Sequence, residues 1–123
     1  MTKTDWEKAV EFHGHACPGL AIGFKAVKAA QEKMGITFSS DEEVVCVTEN
    51  DACGIDAVQV LTGCTMGKGN LIYRGTGKMA FSFFNRKNGD SLRMIAKPFT
   101  REMGREQLQE YILNSRAEEI FTF

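Results

Sequence analysis

The sequence lacks several features that mark particular classes of protein. It contains no run of about 18 apolar residues, so no transmembrane helix is expected. The polar residues 1–8 lack the apolar stretch of a signal peptide, which makes the cytoplasm the expected location. Its 15 Lys and Arg are balanced by 16 Asp and Glu, and the net charge of −1 argues against a nucleic-acid-binding protein. No C-x-x-C pair is present, which counts against dithiol redox chemistry.

The remaining composition is typical of one globular domain. The chain has 123 residues, of which 43% are hydrophobic and 25% are charged, and a chain of this length can bury a core of its own. No internal repeat, linker or low-complexity tract divides it. We therefore expect a single domain over residues 1–123, in which the four cysteines are thiols or ligands rather than structural disulfides.

The pattern of apolar residues predicts an α+β fold. Helical periodicity and end signals predict helices over residues 5–11, 18–34, 55–62 and 105–115. Strands are expected over residues 44–48, 70–74, 78–84 and 92–97, with Asn88-Gly89 as a hairpin turn. Ser115 and Glu118 have the spacing of a capping box for one last helical turn. This order predicts several helices packed on a mainly antiparallel sheet rather than a doubly wound sheet.

Histidine is scarce, and both copies lie in one short segment. His13 and His15 are followed by Cys17, and Gly14 and Gly19 make the surrounding backbone permissive. Two imidazoles and a thiol so close together are typical of a transition-metal site, because they suit zinc, nickel, cobalt, copper or iron, whereas magnesium and calcium prefer oxygen. Residues that cap a helix or form a turn are the alternative. Cys17 is expected at a helix N-terminus, where the helix dipole favours the thiolate that binds metal.

A second segment, residues 49–71, carries Cys53, Asp56 and Cys64. The helix predicted between the two cysteines is about 15 Å long, so the two thiols are not expected to bind one ion, and Cys53 is preferred as the partner of Cys17. Cys64 is then either a further ligand or a buried, inert thiol. Asp56 is either an acceptor that orients a ligand imidazole or a first-turn acid favoured by the helix dipole.

The two segments together resemble the FmdE family, which is named for the E subunit of formylmethanofuran dehydrogenase. The resemblance rests on HGHACPG, at residues 13–19, and CGIDAVQVLTGCTMGKGNL, at residues 53–71, which agree with the family in order and spacing. It implies an α+β core, a homodimer, and a link to one-carbon metabolism through a molybdenum or tungsten formylmethanofuran dehydrogenase. Some members continue into a cysteine-rich zinc-finger extension. Because this sequence does not contain that extension, we expect the core domain alone.

These observations predict a centre that holds one transition-metal ion. Zinc is the first expectation, and nickel, iron or cobalt are the alternatives. The expected ligands are His15, Cys17 and Cys53, with His13 and Cys64 as further candidates. Cys53 is a candidate mainly through the family resemblance. The sequence assigns no catalytic residue.

The segment 63–70 is rich in glycine but does not have the spacing of a nucleotide-binding loop. Three residues separate Gly63 from Gly67, and Gly69 rather than Ser or Thr follows Lys68. Its backbone N–H groups and the lysine are candidates for binding a carboxylate or phosphate on a substrate. The expected substrate contacts are Thr62, Gly67, Lys68, Gly69 and Asn70. A solvated turn is the alternative.

Three functions of different classes fit the sequence. The first is a metal-binding domain of the FmdE type, and the second is a module that delivers a metal to a partner enzyme or senses it. The third is a cysteine-based redox protein, in which Cys17 attacks and Cys53 or Cys64 resolves. A homodimer is expected from the resemblance and from nine Phe, two Tyr and one Trp, which exceed what one small core need bury.

Overall fold

The computed structural model describes residues 3–39, 41–98 and 104–123. The helices are α1 (Asp5–His13), α2 (Pro18–Met34), α3 (Gly54–Thr62), α4 (Arg105–Asn114) and α5 (Ala117–Ile120). The strands are β1 (Val44–Thr48), β2 (Leu71–Tyr73), β3 (Ala80–Asn85), β4 (Ser91–Ala96) and β5 (Phe121–Thr122). Strand β1 lies between α2 and α3 in the chain, and β2, β3 and β4 separate α3 from α4.

The five strands form one sheet in the order β2-β1-β3-β4-β5. Strands β1 and β2 are parallel, because α3 connects them as a crossover, and the other three pairs are antiparallel. The predicted α+β class with a mainly antiparallel sheet is therefore confirmed. None of the helices in the described part of the chain is both long and apolar enough to cross a membrane.

The core lies between the helices and one face of the sheet. On that face Cys46 is paired with Phe83 and Phe81 is paired with Met94, and all four are fully buried. The central helix is α2, which contacts α1, α3, α4, α5 and β4. It buries a stripe of small and aliphatic residues that includes Leu20, and full burial of a side chain of that size contributes about 1.5–3 kcal/mol.

Helix α1 ends at the residue that begins the histidine segment. It starts with a capping box, in which Glu7 N donates to Thr4 Oγ1 and Thr4 N donates to Glu7 Oε1. It ends because Gly14 takes a φ of 104°, a left-handed conformation that favours glycine. The helix is two residues longer than predicted, so His13 lies in its last turn.

Three further features differ from the sequence prediction. The capping box predicted at Ser115 and Glu118 is wrong, because the helix begins one residue later and the Arg116 N–H donates to Glu119 Oε1 at 3.2 Å. Strand β3 begins two residues later than predicted, because the Lys78 carbonyl accepts from the Asn50 side chain at 3.2 Å. Strand β5 has no counterpart in the prediction.

Candidate metal centre

Three donor side chains converge between the end of α1 and the start of α2. One ligand atom from each of His13, His15 and Cys17 lies within 4.8 Å of the others. Gly14, which has a left-handed φ of 104°, lies between the two histidines, and their ring centroids are 4.6 Å apart. His15 is exposed, His13 is half-buried and Cys17 is buried, so the group opens to solvent on the His15 side.

The His13 ring is held by an acid from another helix. Its Nδ1 lies 2.7 Å from Asp56 Oδ2, and Gln59 Nε2 donates to the other oxygen of that carboxylate at 3.2 Å. A ring that donates Nδ1–H to a carboxylate keeps the lone pair of Nε2 free for a metal ion. This Nε2 lies 3.9 Å from Cys17 Sγ, so the available lone pair and the sulfur lie close to each other.

Cys17 is the N-cap of α2, as its sequence position predicts. Its Sγ accepts a hydrogen bond from Leu20 N at 3.4 Å, and Pro18 occupies the first turn. The N–H donor and the partial positive charge of the helix N-terminus both face this sulfur. The local structure therefore suits a metal-binding sulfur.

Cys53 is the N-cap of α3 and a neighbour of Cys17. Burial raises the pKa of the Cys53 thiol, and the neighbouring Cys17 sulfur raises it further. Two ionisable sulfurs at adjoining helix N-termini disfavour a double negative charge unless a cation lies between them. The structure thus places Cys53 beside Cys17 but outside the group of His13, His15 and Cys17 whose ligand atoms converge.

The structure does not bring Cys64 to this group. It follows α3, whose nine residues span about 13 Å, and its Sγ donates to the Val44 carbonyl at 3.3 Å. Burial raises the pKa of Cys64 as well. Cys46, in β1, is fully buried, and burial raises its pKa well above the ordinary value of 9.0. These two thiols lie in the core.

The glycine-rich segment 63–70 lies at the same far end of α3. Lys68 Nζ donates to the Ser39 carbonyl at 2.7 Å, and Asn70 Oδ1 accepts from Thr65 N at 2.9 Å. The Asn70 amide also donates to the carbonyls of Asp41, Val44 and Gly63. Thr62, Cys64 and Asn70 are buried, whereas Gly67 and Gly69 are exposed. The side chains of the segment therefore bond within the protein, about one helix length from the histidines.

Gly23 and Gly54 also shape the site, although neither is among the site residues that the sequence predicts. The two residues bring the backbones of α2 and α3 into contact next to Cys53. A glycine in the interior of a helix destabilises that helix relative to alanine, so Gly23 was a detectable sign of a close approach. Gln59 was detectable in the same way, because its i,i+3 spacing from Asp56 places both on one helical face.

The chain matches a known protein family over most of its length. The sequence pattern of the family described as FmdE, Molybdenum formylmethanofuran dehydrogenase operon, matches residues 12–122, which include all the donor residues above. A probable S-adenosyl-L-methionine-binding protein of Archaeoglobus fulgidus is 37% identical over a 105-residue alignment that covers 77% of this chain and 29% of that protein.

A solved structure is similar as well. It is the crystal structure of a tungsten formylmethanofuran dehydrogenase FmdE-like protein from Syntrophus aciditrophicus, with a TM-score of 0.61 and 32% identity. The match covers 74% of this chain and 47% of that chain. The present chain therefore spans less than half the length of each of these two relatives.

Proposed function

The chain belongs to the FmdE family, and from this membership and its His/Cys group we propose that it is a transition-metal-binding domain. The observation that carries the proposal is the convergence of ligand atoms from His13, His15 and Cys17 within 4.8 Å. Cys53 is the proposed fourth donor. Asp56 is the proposed acceptor that fixes the His13 ring, a role that neighbouring carboxylates play for metal-binding histidines.

The donor set favours zinc, with nickel, iron or cobalt as alternatives. Mixed thiolate and imidazole donors suit these ions and do not suit magnesium or calcium. With only His13, His15 and Cys17 as ligands, a metal would keep an open position that can activate a water or polarise a substrate oxygen. With Cys53 as the fourth donor the site would be closed, which is typical of a structural metal.

We further propose that the domain acts beside a molybdenum or tungsten formylmethanofuran dehydrogenase-like enzyme in cytoplasmic one-carbon metabolism. The family description and the FmdE-like neighbour support this association. The name of the Archaeoglobus protein supports no similar proposal, because most of that protein lies outside the match. Delivery or sensing of a metal is the second candidate, and the exposed His15 favours it because an exposed ligand allows exchange.

Cysteine redox chemistry is the third candidate. Cys17 lies beside Cys53, and the Cys17 sulfur is 3.9 Å from an imidazole that a carboxylate orients. A nucleophile, a base and an orienting acid in this order also suit an activated thiol. Alkylation distinguishes the two uses: a bound metal protects Cys17 from iodoacetamide until a chelator removes it, whereas a redox thiol reacts at once.

Elemental analysis of protein purified without oxygen tests the first proposal. We expect one metal ion per chain, after growth or reconstitution with zinc, nickel, iron or cobalt. The cobalt form should show absorption from thiolate-to-cobalt charge transfer, because sulfur is a ligand. Cys46→Ala serves as the control and should retain the ion. Protein that takes up none of the four metals would contradict the proposal.

We also propose that the chain forms a homodimer. Ile72 and Phe84 lie on the sheet face opposite Cys46 and are 38% and 40% exposed, and Phe12, next to the histidines, is 55% exposed. Apolar exposure of this kind is typical of a surface that meets a partner. Light scattering at micromolar concentration should give twice the monomer mass of 13.7 kDa, and a monomer mass would rule the dimer out.

A further inference from the structure

We infer that Gly19, Gly23 and Gly54 are positioning residues of the proposed metal centre. The inference rests on the proposed function, and it assigns these glycines a task that packing alone does not require. At these three positions no side chain separates α2 from α3, so the backbones touch and the first turn of α3 lies against the first turns of α2. That contact holds Cys53 beside Cys17.

The approach of the two helices leaves no room for a methyl group. A Cβ atom on Gly23 would lie 2.2 Å from the Gly54 carbonyl oxygen and 2.4 Å from its Cα. In the opposite direction, a Cβ on Gly54 would lie 3.0 Å from the Gly23 backbone and 3.1 Å from the Gly19 carbonyl oxygen. The obstacles are backbone atoms rather than flexible side chains, so an added methyl has to move a helix.

The same contact fixes the position of Cys53. This residue directly precedes Gly54, and its side chain fills the space above Gly19: a Cβ there would lie 3.3 Å from Cys53 Cβ and 3.7 Å from its Sγ. Gly19 is two residues from Cys17 in the chain. Any outward shift of the start of α3 therefore separates the two sulfurs.

The first turn of α3 carries a second component of the centre. Asp56 lies in this turn and contacts His13 Nδ1 at 2.7 Å. One displacement of α3 thus moves a proposed sulfur donor and the carboxylate that orients a proposed imidazole donor. Because hydrogen-bond energy falls steeply with distance and angle, a small shift is expected to weaken metal binding more than it weakens packing.

The central test is Gly23→Ala, read through cobalt binding. We expect an affinity at least about 10-fold weaker than wild type, the scale at which disturbed ligand orientation acts, and a thiolate-to-cobalt absorption of about half, since one of two thiolates leaves. Cys53→Ser should show the same absorption. Gly104→Ala is the control, because a Cβ at that position meets nothing within 4 Å and its φ is −66°. A Gly23→Ala protein that is less stable but has the wild-type cobalt spectrum would overturn the inference.

A milder variant covers the case in which Gly23→Ala does not fold. Gly19→Ala meets only the Cys53 side chain, at distances that a small adjustment relieves. It should lower cobalt affinity about 3-fold in the wild-type background, a small fraction of the loss expected for a removed ligand. Its effect should be clearly smaller in the Cys53→Ser background, where that sulfur is gone and only a shift of Asp56 can act on the metal. An equal effect in both backgrounds would show that Gly19 does not act through Cys53.

A metal-free measurement separates this inference from the proposed function. Diamide accepts two electrons and two protons from a pair of thiols, which become one disulfide while diamide becomes a hydrazine. Mass spectrometry of peptides from the intact, metal-free chain reports how fast Cys17 and Cys53 are joined. We expect Gly23→Ala to slow this reaction several-fold and Gly104→Ala to leave it unchanged. Wild-type protein that binds no cobalt but cross-links at a glycine-dependent rate would refute the metal proposal while keeping the positioning role, and an unchanged rate would refute that role.

Discussion

The two ends of α3 place the same chemical group, a buried or half-buried thiol, in opposite surroundings. At the N-terminal end Cys53 adjoins Cys17, and the neighbouring groups are N–H donors and an imidazole with a free nitrogen. At the C-terminal end Cys64 donates to the Val44 carbonyl among side chains that bond to one another. The two ends therefore differ in the hydrogen-bonding groups that surround each sulfur.

Hydrogen-bond direction describes this difference. The Cys17 sulfur accepts from the Leu20 backbone N–H at 3.4 Å. The Cys64 sulfur donates to the Val44 carbonyl at 3.3 Å, and burial raises the pKa of the Cys64 thiol. Helix polarity produces the same contrast, because N–H groups are free at the first turn and carbonyls at the last. A metal centre is therefore expected at the first end and a packed core at the second.

Replacing Cys17, beside the N-terminal end of α3, and Cys64, at its C-terminal end, is the most direct test of this difference. We expect Cys17→Ser to lower metal affinity by more than about 100-fold, because loss of a ligand costs more than the 10–100-fold that loss of an outer partner costs. Cys64→Ser should keep the metal, since a hydroxyl can still donate to the Val44 carbonyl. Metal titration of both variants provides the measurement. Equal losses would mean that the two ends do not differ in function.

Asn70→Ala should have the largest effect on stability at the C-terminal end. The two N–H hydrogens of the buried amide are shared among three carbonyls, and its oxygen accepts from Thr65 N, so its removal leaves several backbone groups without partners. We expect a loss of about 3 kcal/mol in the free energy of unfolding, measured by urea denaturation, with metal affinity unchanged. The control is Asn88→Ala, at an exposed turn. If metal affinity fell in parallel with stability, the two ends would be coupled.

Asp56→Asn probes the N-terminal end without removing a proposed ligand. The amide keeps the size of the acid but lacks the charge that favours a protonated His13 Nδ1, so we expect metal affinity to fall about 10–100-fold. Isothermal titration with zinc measures the change. Asp51→Asn, an exposed acid in the preceding loop, is the matched control and should bind like wild type. A wild-type affinity in Asp56→Asn would make this acid a helix-dipole residue only.

Alkaline unfolding tests the neutral thiols of the core. Burial raises the pKa of Cys46 well above its ordinary value of 9.0, and nearby Cys64 adds to this effect. A raised pKa in the folded state means that the stability contribution is complete below pH 9.0 and declines as the pH rises above it. We expect a decline of up to about 1.4 kcal/mol per pH unit for this thiol, measured by urea denaturation with a chelator and a reductant present. Cys46→Ala should show a shallower decline, and an identical slope would assign the effect to other groups.

Local signals in the sequence predict the elements whose ends carry a residue such as proline or glycine that starts or stops a helix. Pro18 and Gly35 bound α2, and its predicted and observed limits agree. Strand β5 was missed because two residues of β-structure are defined by their partners in β4 rather than by their own pattern. The start of β3 was misplaced because the carbonyl of Lys78 is taken by Asn50, which is 28 residues away.

In the candidate site too, the sequence predicts local contacts and does not predict long-range ones. Proximity of His13, His15 and Cys17 follows from a five-residue motif, and the sequence was sufficient to suggest it. The sequence left Asp56 undecided because its contact with His13 spans 43 residues, and that contact depends on how α1 and α3 pack. Likewise, nothing in the loop sequence indicates that Lys68 meets Ser39, which is 29 residues away.

The smallest expected effect concerns Lys68, whose ammonium has two possible uses. It donates to the Ser39 carbonyl at 2.7 Å and lies 5.9 Å from the Phe38 ring centroid. Because the side chain is partly exposed, solvent screens the contact, and we expect Lys68→Ala to lower the free energy of unfolding by only about 1 kcal/mol. Lys68→Arg should retain part of it, since a guanidinium also donates. Thermal unfolding of the two variants measures this contribution of Lys68 to stability.

The other use of Lys68 is the proposed binding of a carboxylate or phosphate with the exposed amides of Gly67 and Gly69. The Ser39 contact does not prevent this, because an ammonium has three donors and an incoming anion needs one. If the loop binds such a group, Lys68→Ala should weaken acetate or phosphate binding about 10-fold, the scale of a charge-assisted hydrogen bond, and leave metal content unchanged. Titration calorimetry on metal-loaded protein decides between the two uses. Equal anion affinity in wild type and Lys68→Ala would make the C-terminal end of α3 structural throughout, and the contrast with the N-terminal end would then be complete.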